Sequence, residues 1–205
     1  MIDMVSTIDG KTVSGGRDET VVDLGSPVDH QAMQDLQSQC DAVMVGAGTL
    51  RSSGVGWNPI SPIRVVVSGS GRVPFEAKFF TGGEGIVATP TGCTVKVPDG
   101  VKNLEVGSGT VDLGLLLQKL KDRRVERLLV LGGSELNGQL LGLDLVDELF
   151  LTIAPKVKLG RNLPTYAGGE PLARNQLRSF QLIQHHVEGS EVFLRYRRKR
   201  ESGGD

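Results

Sequence analysis

Arg127-Leu128-Leu129-Val130-Leu131-Gly132-Gly133-Ser134-Glu135-Leu136 runs from a short apolar strand straight into paired glycines and then into a helix-like segment. Asp41-Ala42-Val43-Met44-Val45-Gly46-Ala47-Gly48-Thr49-Leu50-Arg51 has the same arrangement earlier in the chain. Glycine tolerates φ > 0 and lets backbone approach closely, so such a turn at a strand end presents bare N–H groups on which a phosphate can rest. Either turn alone is equally well explained by the steric needs of a tight strand-to-helix connection. Two of them together point to a nucleotide carrying two or more phosphates. Apolar strands that alternate with helices also set the class as α/β with a mostly parallel sheet.

Working outward, strands are expected at 2–8, 42–46, 64–68, 85–89, 103–107 and 127–132. A helix at 28–39 has Ser26 as N-cap and Pro27 at its first position. A second, at 112–122, places Leu113, Leu116, Leu117 and Leu120 on one face, and a short third follows near 134–142. Met33, Leu36 and Cys40 recur at helical spacing, which makes Cys40 a buried apolar residue. The pattern then changes. Residues 148–155, 180–186 and 191–197 read as strands, the last two joined across Val187-Glu188-Gly189-Ser190 as an antiparallel hairpin. The Gly/Pro-rich stretch 158–175 is long for a loop, and long loops in compact domains often cover a site.

The chain has 205 residues, 39% hydrophobic and 23% charged, with a net charge of −1. That suits one soluble domain, expected over 1–197, with 198–205 as a disordered tail. The balance gives no reason to expect nucleic acid or an acidic membrane as partner. The basic run Arg195-Tyr196-Arg197-Arg198-Lys199-Arg200 reads as a solvated strand face. No stretch approaches the roughly 18 apolar residues of a membrane span, and Met1-Ile2-Asp3-Met4-Val5-Ser6 lacks a secretory pattern, so a cytoplasmic protein is expected. Cys40 and Cys93 form no disulfide framework, and no metal site is indicated. A Rossmann fingerprint is disfavoured, because Gly46-Ala47-Gly48-Thr49-Leu50-Arg51 lacks the third glycine and follows the second strand. The P-loop pattern is absent.

Four ordered motifs carry a resemblance: Ser6-Thr7-Ile8-Asp9-Gly10-Lys11, the turn at 41–49, Leu129-Val130-Leu131-Gly132-Gly133, and Leu145-Val146-Asp147-Glu148-Leu149-Phe150-Leu151-Thr152-Ile153-Ala154-Pro155. In that order, over most of residues 3–160, the chain resembles the pyrimidine reductase domain of riboflavin biosynthesis, which shares the dihydrofolate reductase fold. No His-x-Glu with a later Pro-Cys-x-x-Cys occurs, so a stand-alone reductase without the deaminase domain is expected. The resemblance implies a dihydrofolate-reductase-like α/β fold with a central sheet of about eight strands and flanking helices. It also implies a homodimer and NADPH as hydride donor. Carried over, Gly46, Gly48 and Thr49 form one wall of the cofactor site, with Gly132, Gly133 and Ser134 at the pyrophosphate. Arg51, Ser68 and Arg72 lie where a 2′-phosphate would be met, since a guanidinium binds phosphate through two parallel bonds.

The implied activity is that of a 5-amino-6-(5-phosphoribosylamino)uracil reductase-like enzyme, delivering hydride to C1′ of a ring-opened ribosylamino-pyrimidine 5′-phosphate. Ser6, Asp9, Lys11, Ser14, Arg17 and Glu135 are the candidate substrate contacts, and Asp9 is the nearest candidate proton donor. Asp9-Gly10 also reads simply as a turn ending the first strand. The chain departs from the family at Arg51-Ser52-Ser53-Gly54-Val55-Gly56-Trp57-Asn58-Pro59, where an Asp-Asp-Pro-x-Leu-Thr-Val-Arg type segment is usual, and at Leu131, where a Glu is usual. A related small polar substrate therefore stays open. So do dihydrofolate reduction, with Asp29 or Asp35 as the pterin carboxylate, and a nucleotide-binding module without activity. For the dimer, Leu149, Leu151 and Ile153 are expected to pack on the helices, leaving Phe150 and Thr152 with the 180–197 hairpin to form the contact.

Overall fold

A computed structural model of the chain describes residues 1–16, 19 and 23–200. In chain order the elements are β1 (Ile2–Thr7), α1 (Pro27–Ser38), β2 (Ala42–Gly46), α2 (Ala47–Ser52), β3 (Ile63–Val67), β4 (Glu84–Thr91) and β5 (Val101–Ser108). They continue as α3 (Leu113–Asp122), β6 (Leu128–Val130), α4 (Ser134–Gly142), β7 (Glu148–Ala154), β8 (Phe180–Glu188) and β9 (Glu191–Arg198). One nine-stranded sheet is ordered β5-β4-β3-β2-β6-β1-β7-β9-β8, parallel from β5 through β7 and antiparallel at β7/β9 and β9/β8. It has nine strands rather than about eight, because both hairpin strands join the same sheet. Strand β1 stops at Thr7 and leaves Ile8 exposed, while β5 is longer than 103–107 and β6 shorter than 127–132.

Capping sets the helix starts. The Ser26 hydroxyl accepts from Val28 N and Asp29 N at 3.1 and 3.3 Å, and Asp112 accepts from Leu115 N at 2.9 Å. Such caps satisfy first-turn donors that would otherwise have no partner. Strand β2 is buried along Ala42–Val45 because helices cover both faces of the sheet at its centre, which explains its continuous apolar sequence. On one side Leu113, Leu116 and Leu120 of α3 and Leu136 and Leu140 of α4 pack with Ile2, Met44, Val65 and Val130. On the other, Cys40 joins Val43, Val45, Phe79 and Leu129, with Met33 and Leu36 against them.

Strand β9 includes Arg198, one residue past the expected domain end. Arg198 pairs with Asp144 and Arg200 with Asp147, and 201–205 lie outside the described residues. Arg195 and Arg197 both pair with Glu148, so much of the basic run is neutralised across the strand ends. Among the described residues no helix is long and apolar enough to cross a membrane. The expected division of the β7 faces is also modified. Leu149 packs into the first core cluster, but Leu151 and Ile153 stay half-buried. On the opposite face α1 and the hairpin leave a 210 Å³ cleft lined by Leu36, Phe150, Thr152, His186 and Phe193.

Candidate active site

Parallel strands aim their carboxyl ends at one sheet edge, and ligands of open α/β sheets settle there, where the strand order reverses. Here β2 ends at Gly46, β3 at Val67 before Ser68, and β6 runs into Leu131-Gly132-Gly133. Leu131 N donates to Met44 O and Gly46 N to Gly132 O, each at 2.9 Å, which sets the two glycine turns side by side. A cavity of about 410 Å³ opens over them. Gly46, Gly48, Thr49, Arg51 and Ser68 line it with Gly132, Gly133, Ser134 and Glu135, so nine of the sequence-derived candidates converge.

The second turn has no room for a side chain, and the first is in close contact with it. A Cβ on Gly133 would fall 2.5 Å from Thr49 Oγ1, and one on Gly46 3.5 Å from Gly133 N. The α4 N-terminus opens on this floor with no side-chain cap, so its first N–H groups are free to bind an anion. Among the described lining residues the donor set is neutral N–H and O–H groups plus one guanidinium, with Glu135 the one carboxylate. That chemistry fits the phosphates of a dinucleotide. Arg51 Nη1 donates to Arg72 O at 2.9 Å, which pins the guanidinium at the cavity rim. Arg72 does not line the cavity. It lies beyond Arg51 in a shallow adjoining groove that also includes Lys96, a residue in no motif and missed from sequence.

Apart from Glu135, the described substrate-side candidates do not line the cavity. Ser6 is buried within β1, opposite Ile153, and neither it, Asp9, Lys11 nor Ser14 lines the cavity. Arg17 lies outside the described residues. Thr12, Val13 and Pro164, which carry no motif signal, close the cavity instead. Asp9 needs correction as a proton donor. Its carboxylate accepts from Thr7 Oγ1 at 2.7 Å, Lys158 N at 3.0 Å and Leu159 N at 2.9 Å. The Lys158 amide and the Thr7 hydroxyl foremost hold its pKa down to about 2, so at neutral pH it carries no proton to give.

Residues 51–59 are divided. Arg51 and Ser52 face the cavity, but Trp57 packs on Phe79 with ring centroids 5.3 Å apart, and Asn58 Oδ1 accepts from the buried Arg64 at 2.7 Å. Only Trp57 and Pro59 of its far half reach the core, and Val55, Gly56 and Asn58 stay exposed. The pterin-carboxylate alternative also loses its residues, since no part of α1 lines the cavity. Asp29 is buried near Thr152 and Glu191, with burial foremost raising its pKa, and Asp35 accepts from Gln31 at the surface.

Comparison with known proteins agrees with this geometry. The family described as the RibD C-terminal domain matches residues 1–192. A 2,5-diamino-6-ribosylamino-4(3H)-pyrimidinone 5′-phosphate reductase of Methanothermobacter thermautotrophicus is 31% identical, over 96% of this chain and 96% of its own length. The protein of the same name from Aquifex aeolicus is 26% identical, over 93% of this chain and 92% of its own. Among solved structures, a pyrimidine reductase-like protein of Corynebacterium diphtheriae superposes with a TM-score of 0.77 at 20% identity, over 98% of this chain and 91% of that one. That likeness concerns the fold.

Proposed function

This chain belongs to the RibD C-terminal domain family, and from that premise we propose that it is an NADPH-dependent reductase of a ribosylamino-pyrimidinone 5′-phosphate. The observation that carries the reading is the cavity where two glycine turns meet at the strand ends, on a chain aligned nearly end to end with named reductases. The diamino-pyrimidinone is favoured over its uracil counterpart because the full-length relatives are named for it.

NADPH, when bound, supplies a hydride from C4 of its nicotinamide. The chain's own residues do the rest. Backbone N–H groups of Gly132, Gly133 and Ser134 receive the pyrophosphate at the α4 N-terminus, and Thr49 and Ser68 offer hydroxyls beside it. Arg51, with Arg72 and Lys96 in the adjoining groove, meets the 2′-phosphate and selects NADPH over NADH. Thr12, Val13 and Pro164, which close the cavity, would shield the reacting carbons from water and give the substrate a wall to rest against. Glu135 faces the polar sugar. With Asp9 ionised, the proton that accompanies the hydride comes from water.

The test follows NADPH oxidation with the diamino-pyrimidinone phosphate, the uracil analogue and dihydrofolate in parallel. Turnover of the first at a kcat/KM well above the other two is expected. Activity on dihydrofolate alone, or on none, would overturn the reading.

A further inference from the structure

Residues 156–168 cross the molecule from the end of β1 to the first turns of α4. Ile8 N donates to Lys156 O at 2.8 Å, Thr12 N to Pro164 O at 3.0 Å, and Lys11 bridges Thr165. At the far end Asn137 Nδ2 donates to Tyr166 O at 2.7 Å and Gly168 N to Ser134 O at 2.9 Å. Helix and strap touch so closely that a Cβ on Gly138 would fall 1.6 Å from Gly168 O. The strap thus bridges the two elements that flank the cavity, and it contributes Pro164 to the cavity wall beside Thr12 and Val13.

One side chain holds its near end. The Asp9 carboxylate takes two consecutive amides, Lys158 N and Leu159 N, as well as the Thr7 hydroxyl. Leu159 sits at φ 58°, a left-handed conformation that costs a non-glycine residue energy and persists where surrounding bonds over-determine it. An ionised acceptor makes stronger hydrogen bonds than a neutral one.

Resting on the reductase reading above, we propose that Asp9 is a positioning residue whose carboxylate clamps the 156–168 strap, and so fixes the Thr12 and Pro164 wall against which substrate is held. It acts through the strap rather than on the reacting atoms, and the glycine turns that receive the cofactor lie outside its reach.

Asp9→Ala and Asp9→Asn test this by amide hydrogen exchange, NADPH titration and steady-state kinetics. Exchange at Lys158 and Leu159 should quicken by about 10- to 100-fold in Asp9→Ala, the range for losing hydrogen bonds to a charged group, and by less in Asp9→Asn, which keeps one acceptor oxygen. The KM for substrate should rise about tenfold with kcat changed less, while NADPH affinity holds. Unchanged exchange at both amides would overturn the clamp. A kcat collapse with KM and exchange unchanged would place Asp9 in the chemistry instead, and loss of NADPH binding would make its role generally structural. Should the wild type turn over no pyrimidinone phosphate, the reductase reading would fall, and exchange with the NADPH titration would still decide whether Asp9 holds the strap.

Discussion

A single methyl group added at Gly133 probes the cavity floor directly. The new Cβ would stand 2.5 Å from Thr49 Oγ1, well inside the 3.0 Å that such contacts essentially never cross. Either Thr49 must leave its rotamer or the first turn of α4 must withdraw from α2, and overpacking of this kind costs about 1–3 kcal/mol. Both responses displace groups that line the cavity. NADPH affinity in Gly133→Ala should therefore fall about 10- to 100-fold, which is the same energy expressed as binding. The cause can be separated from general damage by adding Thr49→Ala, since the next nearest atom, Thr49 Cβ, lies 3.9 Å away. The double variant should regain most of the lost stability in urea unfolding, a coupling of about 1 kcal/mol or more between touching residues. Fluorescence titration of NADPH against the wild type, both singles and the double would supply the binding side of the cycle. If Gly133→Ala bound NADPH as tightly as wild type, or if the two substitutions proved additive, the two turns would not share one ligand surface and the cofactor assignment would fail.

Arg51→Ala should weaken NADPH by about 10- to 100-fold through loss of a charge-assisted phosphate contact and leave NADH unchanged, measured as paired dissociation constants; equal weakening would make Arg51 structural. Stability should fall as pH rises from 4 to 7, because burial, reinforced by Asp29, raises the Asp3 carboxyl from 3.8 to about 7, so the folded state keeps a proton that the unfolded chain releases. Its contribution is complete below pH 3.8 and lost through about pH 7. Asp3→Asn should remove a loss on the order of 3–4 kcal/mol at pH 8, and parallel urea-unfolding curves for variant and wild type across this range would contradict it. A homodimer should form through the face bearing Phe150, Thr152 and the β8/β9 hairpin; light scattering that gave a monomer mass at high micromolar concentration would dispose of it.

That the two glycine turns line one cavity was legible in the sequence because their determinants are local. A glycine pair after a run of apolar residues marks, within ten positions, both the end of a buried strand and the close backbone approach that a phosphate needs. Parallel pairing then brings such turns to one edge whatever lies between them. The substrate half obeys no such locality. Asp9 finds its partners at Lys158 and Leu159, about 150 positions away, and a carboxylate that accepts backbone amides leaves no pattern in either segment. The same blindness hid the partner of Arg195 and Arg197, since Glu148 answers both from the neighbouring strand while their side chains stay in part solvated. Lys96 went unnoticed because it reaches the Arg51 groove from the β4–β5 connection. The departure at 51–59 is the instructive case. Read as sequence it is a lost substrate grip. In the fold, Trp57 packs on Phe79 and the exposed Asn58 accepts from Arg64, so on the reading proposed above the hold on a substrate phosphate comes from elements that sequence proximity does not join to the glycine turns.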